Sequence, residues 1–166
     1  MENRGYSGAS IRRATLSDLS IVKSILEITI SEVYPHYYPR GAVEFFLIHH
    51  SEENISNDIK QGRVFLYFNL LKNAIGTVTI KENEICRLFV LPSQQGKGYG
   101  GEILDFSEAM IFKNHEKVVL DASLPAKSIY LKRGYRETGF YSIRTEQGDF
   151  LCYDVMEKCR GQIKTQ

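Results

Sequence analysis

The chain has 166 residues, 43% of them apolar, which suits one globular domain with a real core. Its 21 Lys and Arg against 20 Asp and Glu leave a formal charge of +1, which removes any electrostatic case for nucleic acid or an anionic membrane as main partner. Residues 1–10 are polar rather than an apolar signal segment, and no apolar run nears the roughly 20 residues of a membrane span, so the expected location is the cytoplasm.

Residues 10–14 predict a short first strand. Ser17 is a candidate N-cap for the helix after it, in which Leu19, Val22, Leu26 and Val33 follow one helical face. Pro35 stops that helix, because the residue before a proline disfavours helical backbone. The aromatic stretch Tyr34-Pro35-His36-Tyr37-Tyr38-Pro39 breaks the pattern. Helical spacing resumes over residues 41–50, and Ser51 caps a further helix to about Gln61, with Gly62 as its stop. The period then changes. Residues 64–68, 74–80 and 84–91 read as strands separated by short polar turns, and turns that short force antiparallel neighbours. An amphipathic helix with Ile103, Phe106 and Met110 on one face follows a glycine-rich turn. Residues 117–120 predict a short buried strand, Pro125 the first turn of another helix ending at Gly134, and residues 135–144 and 150–156 a closing hairpin. The third strand and strand 117–120 are joined through a helix and should be parallel. The expected fold class is therefore α/β in the α+β sense: one domain (core about residues 10–158), with a mixed sheet that has an antiparallel N-terminal meander and a parallel central pair.

Cys86, Cys152 and Cys159 fit neither a disulfide framework nor a metal motif, and read as small buried core thiols. No histidine pair has metal-ligand spacing, so no metal is expected. His49 and His50 are adjacent, face different ways on a helix, and read as surface residues; His115 lies in a polar connection.

The chemistry begins at Gln94-Gln95-Gly96-Lys97-Gly98-Tyr99-Gly100-Gly101. The first amides of a helix lack intrahelical acceptors and carry the positive end of its dipole. Glycine lets the backbone approach a ligand closely. Together they make a cradle for phosphate or diphosphate. Gly96, Gly98 and Gly101 also satisfy the dinucleotide fingerprint, with Asp121 downstream. Against that reading, Pro92 to Gln95 intervene after the strand, the preceding strands form a meander, and too little chain follows for a doubly wound sheet. No Gly-Lys-Ser/Thr ends the turn, which excludes a Walker loop.

Leu88-Phe89-Val90-Leu91-Pro92 followed by Gln95-Gly96-Lys97-Gly98-Tyr99-Gly100 resembles the Gln/Arg-x-x-Gly-x-Gly/Ala hallmark of the GNAT superfamily of acetyl-CoA-dependent N-acetyltransferases. Residues 123–135 resemble its second hallmark, a helix reading Asn-x-x-Ala-x-x-Phe-Tyr-x-x-x-Gly-Phe, with Ser123 where Asn is usual and Tyr135 where Phe is usual. The resemblance implies a GNAT-like acyl-CoA N-acyltransferase fold and acetyl-CoA as co-substrate. It implies that the amides of Gln95, Gly96, Lys97, Gly98, Tyr99, Gly100 and Gly101 hold its diphosphate, that the backbone of Phe89 and Val90 pairs with the pantetheine arm, and that Tyr130 protonates the leaving thiolate. Glu84 stands where some members carry a general base; a solvated strand-end carboxylate is its plain alternative. Tyr34, His36 and Tyr37 fall in the break where the family often lines its acceptor site, and the tyrosines equally suit half-buried core edges. Lys132 and Arg133 suit either the nucleotide phosphate or a helix end.

The expected activity is transfer of acetyl to a primary amine of a small molecule or peptide by direct attack in a ternary complex. The expected partners exclude nucleic acid and membrane; a homodimer remains open, since many relatives pair. A catalytically silent acyl-CoA sensor and, behind it, a nucleotide oxidoreductase are the competing classes.

Overall fold

The computed structural model describes residues 9–161. In chain order these form β1 (Ser10–Arg13), α1 (Leu19–Val33), α2 (Arg40–His49), α3 (Glu52–Lys60), β2 (Val64–Phe68), β3 (Ala74–Lys81) and β4 (Glu84–Val90). Then come α4 (Tyr99–Ile111), β5 (Lys117–Ala122), α5 (Lys127–Lys132), β6 (Arg136–Arg144) and β7 (Phe150–Cys159). The strands make one seven-stranded sheet in the order β1-β2-β3-β4-β5-β7-β6. Only β4 and β5 pair in parallel; every other neighbour is antiparallel. The meander and the parallel centre expected from turn lengths and the intervening helix are both present.

Strand alternation divides the core in two. In β2, Phe65 and Tyr67 enter one cluster with Ile103, Leu104 and Ile111 of α4 and Tyr130 of α5. Val64 and Leu66 enter the other, with Val22, Leu26 and Ile30 of α1, Ala42 of α2, and Ile55 and Ile59 of α3. The sheet thus carries α4 and α5 on one face and α1 to α3 on the other. Leu26, Ile30, Leu66, Ile103 and Leu120 are almost fully buried; each such side chain stabilises by about 1.5–3 kcal/mol.

Local details depart from expectation. The turn into α1 is organised by Asp18 rather than Ser17. The Asp18 carboxylate accepts from the Thr15 amide and from Arg12, both at 2.8 Å, and the Arg12 guanidinium holds its carboxyl well below the usual carboxylate range. Pro125 precedes α5 in a turn closed by Ala126 N–H to Ser123 C=O at 3.0 Å. Strand β7 runs to Cys159, because its long pairing with β5 from Lys117↔Cys159 to Ala122↔Asp154 holds the end in register. The three cysteines are half-buried on strands rather than core residues.

Candidate functional site

Strands β4 and β5 share only two rungs, Glu84↔Val119 and Ile85↔Leu120. Beyond them β4 continues to Val90 and β5 to Ala122 without pairing. A register shift against β3 falls at the same place, where Cys86 is the extra residue between Ile85 and Arg87. Such a bulge bends and twists its strand, and β4 leans away from β5. The opening is a groove of about 400 Å³. It is walled by Thr29, Val33 and Tyr34 from one face of the sheet and Tyr99, Gly100 and Leu104 from the other, and so passes through the sheet.

The groove's inner edge is the free side of β4. Leu91 N–H donates to Ile75 C=O of β3 at 2.9 Å. Antiparallel alternation then turns the peptide groups of Leu88 and Val90 away from β3 and into the groove, and those of Phe89 toward β3. The Val90 carbonyl is already met by Gln95 Nε2 at 2.9 Å, which pins the glycine turn to the strand end.

At that end Gly96 and Gly98 take φ of +76° and +90°, a region that penalises other residues. A Cβ added at either would meet nothing within 4 Å, so the space above the turn is open. Gly98 is the N-cap of α4 and offers no side chain to cap it. From Gly96 to Gly101, no N–H finds an acceptor among the described residues; the first bond into α4 is Glu102 N–H to Gly98 C=O at 3.1 Å. Six successive unsatisfied donors at a helix start fit an anionic diphosphate. The first turn of α4 is itself anchored, since Tyr67 of β2 hydrogen-bonds the Glu102 carboxylate.

Opposite the β4 edge stands Tyr130 of α5, buried, with its hydroxyl unpartnered among the described residues. Burial pushes its phenol up to about 12, so it stays protonated at any ordinary pH. Tyr34 is likewise buried in the wall, with its phenol raised by burial.

The groove therefore gathers Tyr34, Phe89, Val90, Gln95, Gly96, Gly98, Tyr99, Gly100, Gly101 and Tyr130 of the residues singled out in the sequence. Lys97 sits exposed on the turn, its Nζ 3.1 Å from Gln94 Oε1. His36 and Tyr37 are exposed and do not line the groove. Glu84 lies at the closed end, on the first rung of the β4–β5 pair. Lys132 is exposed, while Arg133 is engaged by Asp105 at 2.5 Å and Glu108 at 3.5 Å. Sequence reasoning passed over Thr29, Leu88 and Ser123 as lining residues. Thr29 had a signal: a polar residue on the apolar stripe of α1.

His50 corrects the surface assignment. It follows α2 with φ −98° and ψ 43°, a turn out of the helix, and its Nδ1 accepts from Arg87 Nε at 3.0 Å. Burial, then the Arg87 charge, lowers its pKa to about 3. Arg87 also pairs with buried Asp58 of α3, which Lys81 meets at 3.2 Å.

Among the described residues no helix is long and apolar enough to cross a membrane. The same fold is found in known structures. A GCN5-related N-acetyltransferase from Rhodopseudomonas palustris superposes with a TM-score of 0.83 at 19% identity, covering 95% of this chain and 99% of that one. PaiA N-acetyltransferase from Thermoplasma acidophilum, solved in complex with coenzyme A, gives 0.67 at 22% identity over 91% and 98%. The ribosomal-protein-S18-alanine N-acetyltransferase from Escherichia coli gives 0.67 at 15% identity over 95% and 97%. No curated protein matches the chain in sequence. The sequence profile described as acetyltransferase (GNAT) domain matches residues 33–148. The chain belongs to this family of N-acetyltransferases, as its two motifs implied.

Proposed function

We propose that the chain transfers acetyl from acetyl-coenzyme A to a primary amine of a small molecule or peptide, by direct attack in a ternary complex. One observation carries the reading: among the described residues, six unpaired N–H groups, Gly96 to Gly101, stand at the foot of a groove that leads along free strand edge to an unpartnered tyrosine hydroxyl. The donors suit the diphosphate of the co-substrate. The peptide groups of Leu88 and Val90 suit its amide-containing arm, which would extend the sheet as an added strand.

The acceptor must lose a proton first, because an alkyl ammonium near pKa 10.4 has no lone pair at neutral pH. Its nitrogen then attacks the thioester carbon. Negative charge builds on the carbonyl oxygen, and a groove-facing amide of β4 is oriented to receive it. As the C–S bond breaks, the sulfur takes a proton from the Tyr130 hydroxyl, which burial keeps protonated. Glu84 is the candidate base from the sequence, and its pKa is raised by burial and by Asp121.

Calorimetry with acetyl-coenzyme A and a thiol-release assay over an amine panel test the reading. Binding together with turnover on at least one amine is expected. Tight binding without turnover would favour the sensor class, and preference for NAD(P) over acetyl-coenzyme A would overturn the assignment.

A further inference from the structure

Resting on the transfer reading above, we propose that Asp121 is a second catalytic carboxylate, which takes the proton of the acceptor ammonium on the sheet face opposite α4, with Glu84 beside it.

The placement follows from the ladder. Paired residues of neighbouring strands point to the same face. Ile85 and Leu120 are paired and both enter the core under α4. Glu84 and Val119, paired one rung earlier, therefore point the other way, and by alternation so does Asp121. Asp121 stands one residue past the last rung, where the strands part. It is thus about 7 Å further toward the open groove than Val119, and two residues before Ser123, which lines the groove.

Both carboxylates are uncommitted. Among the described residues neither Asp121 nor Glu84 is in an ion pair, whereas Asp18, Asp58, Glu108, Asp154 and Glu157 all are; Asp121 has no side-chain hydrogen bond, and Glu84 has only the weak one from the Cys86 thiol. Lys81, the cation that acts on Glu84, is held by Asp58 at 3.2 Å. Asp121 is exposed by surface area. The groups facing Asp121 are Glu84 from β4, His49 from α2 and Tyr153 from β7. Lys81 and Cys86 act in turn on Glu84, and Lys81 and Arg87 on His49. Packing raises the Asp121 carboxyl, with His49 opposing, and raises Glu84, with Asp121 adding to it. His49 is held below its ordinary value by burial and by Arg87.

An ammonium is the complement of two uncompensated carboxylates on one sheet face, beside the point where β4 and β5 part. The protons balance. The ammonium carries three. One passes to the Asp121 carboxylate and then to solvent, leaving the lone pair that forms the C–N bond. One leaves the nitrogen after attack and, by way of Tyr130, ends on the sulfur as the C–S bond breaks. One stays on the amide product. No oxidant or further reactant is needed.

Asp121→Asn in the full chain tests this. Turnover of the best panel amine should fall about 100-fold or more, with acetyl-coenzyme A affinity by calorimetry within about twofold, since the cradle is untouched. The acid limb of the kcat/KM profile should disappear, and hydroxylamine, already neutral near pH 7, should be spared. Glu84→Gln should move that limb to lower pH, because a like charge is removed. A wild-type rate and acid limb in Asp121→Asn would overturn the proposal while leaving the transfer reading intact. Failure of the wild type to bind acetyl-coenzyme A would sink both. If the wild type binds but no panel amine turns over, carbon-13 titration of Asp121 in the coenzyme A complex decides. A midpoint above the ordinary carboxylate range that drops in Glu84→Gln supports it, and an ordinary midpoint refutes it.

Discussion

Arg87 Nε donates to His50 Nδ1 at 3.0 Å, and so requires a neutral imidazole at the junction of α2, α3 and β4. The folded value of about 3 lies well below the roughly 6.5 of an unfolded histidine. Protonation therefore favours the unfolded chain. The stability His50 contributes is full above about pH 6.5 and drains as pH falls toward 3. His50→Gln keeps an acceptor for Arg87 without the titration. Urea unfolding at pH 7 and pH 4.5 should show the wild type losing about 2 kcal/mol more than the variant; equal losses would remove His50 from the account.

The same junction contains the buried pair of Arg87 and Asp58, with side chains 7% and 3% exposed. Arg87→Met leaves one Asp58 oxygen without its partner and should cost about 3 kcal/mol in chemical denaturation, whereas Arg87→Met with Asp58→Leu should recover much of that. A single variant as stable as wild type would mean that Lys81 and Arg63, which meets Asp58 at 3.5 Å, suffice for that carboxylate.

Gly98 and Gly134 have nearly the same φ, +90° and +88°, and both face open space. Alanine at either should cost about 1–2 kcal/mol through its left-handed backbone. Only Gly98→Ala projects a methyl into the cradle, so only it should weaken acetyl-coenzyme A binding, by at least about tenfold. Calorimetry on the two variants, matched in strain, separates cradle from fold.

Tyr130→Phe should lower turnover by about 100-fold with acetyl-coenzyme A affinity near normal. Because burial pushes the wild-type phenol up to about 12, no alkaline decline from this group should appear below about pH 11. A decline near pH 10 would mean that the hydroxyl is solvated.

Local signals carried much of this architecture. Alternation and turn length read β2, β3 and β4 as a meander, and four closely spaced glycines after a strand announced an open turn at the start of α4. What escaped depended on contacts distant in sequence. Nothing near His50 reveals that Arg87, 37 residues on, will donate to its ring, nor that Asp58 will neutralise Arg87 from another helix. The parting of β4 from β5 depends on where pairing stops, which single strands do not encode. Tyr34 reaches the groove while His36 and Tyr37 turn outward, because the chain leaves α1 in a short tight turn whose direction the aromatic run alone does not set.

The grip along the turn and the strand edge bears on the proposed cycle. Those contacts address parts that the acylated carrier and the free thiol share, so spent carrier should be held nearly as firmly as fresh. Such uniform binding lowers half-saturation without hastening chemistry. Spent carrier then competes with fresh carrier for one groove, and when the two together saturate the enzyme, flux should follow the ratio of charged to discharged carrier rather than the abundance of either.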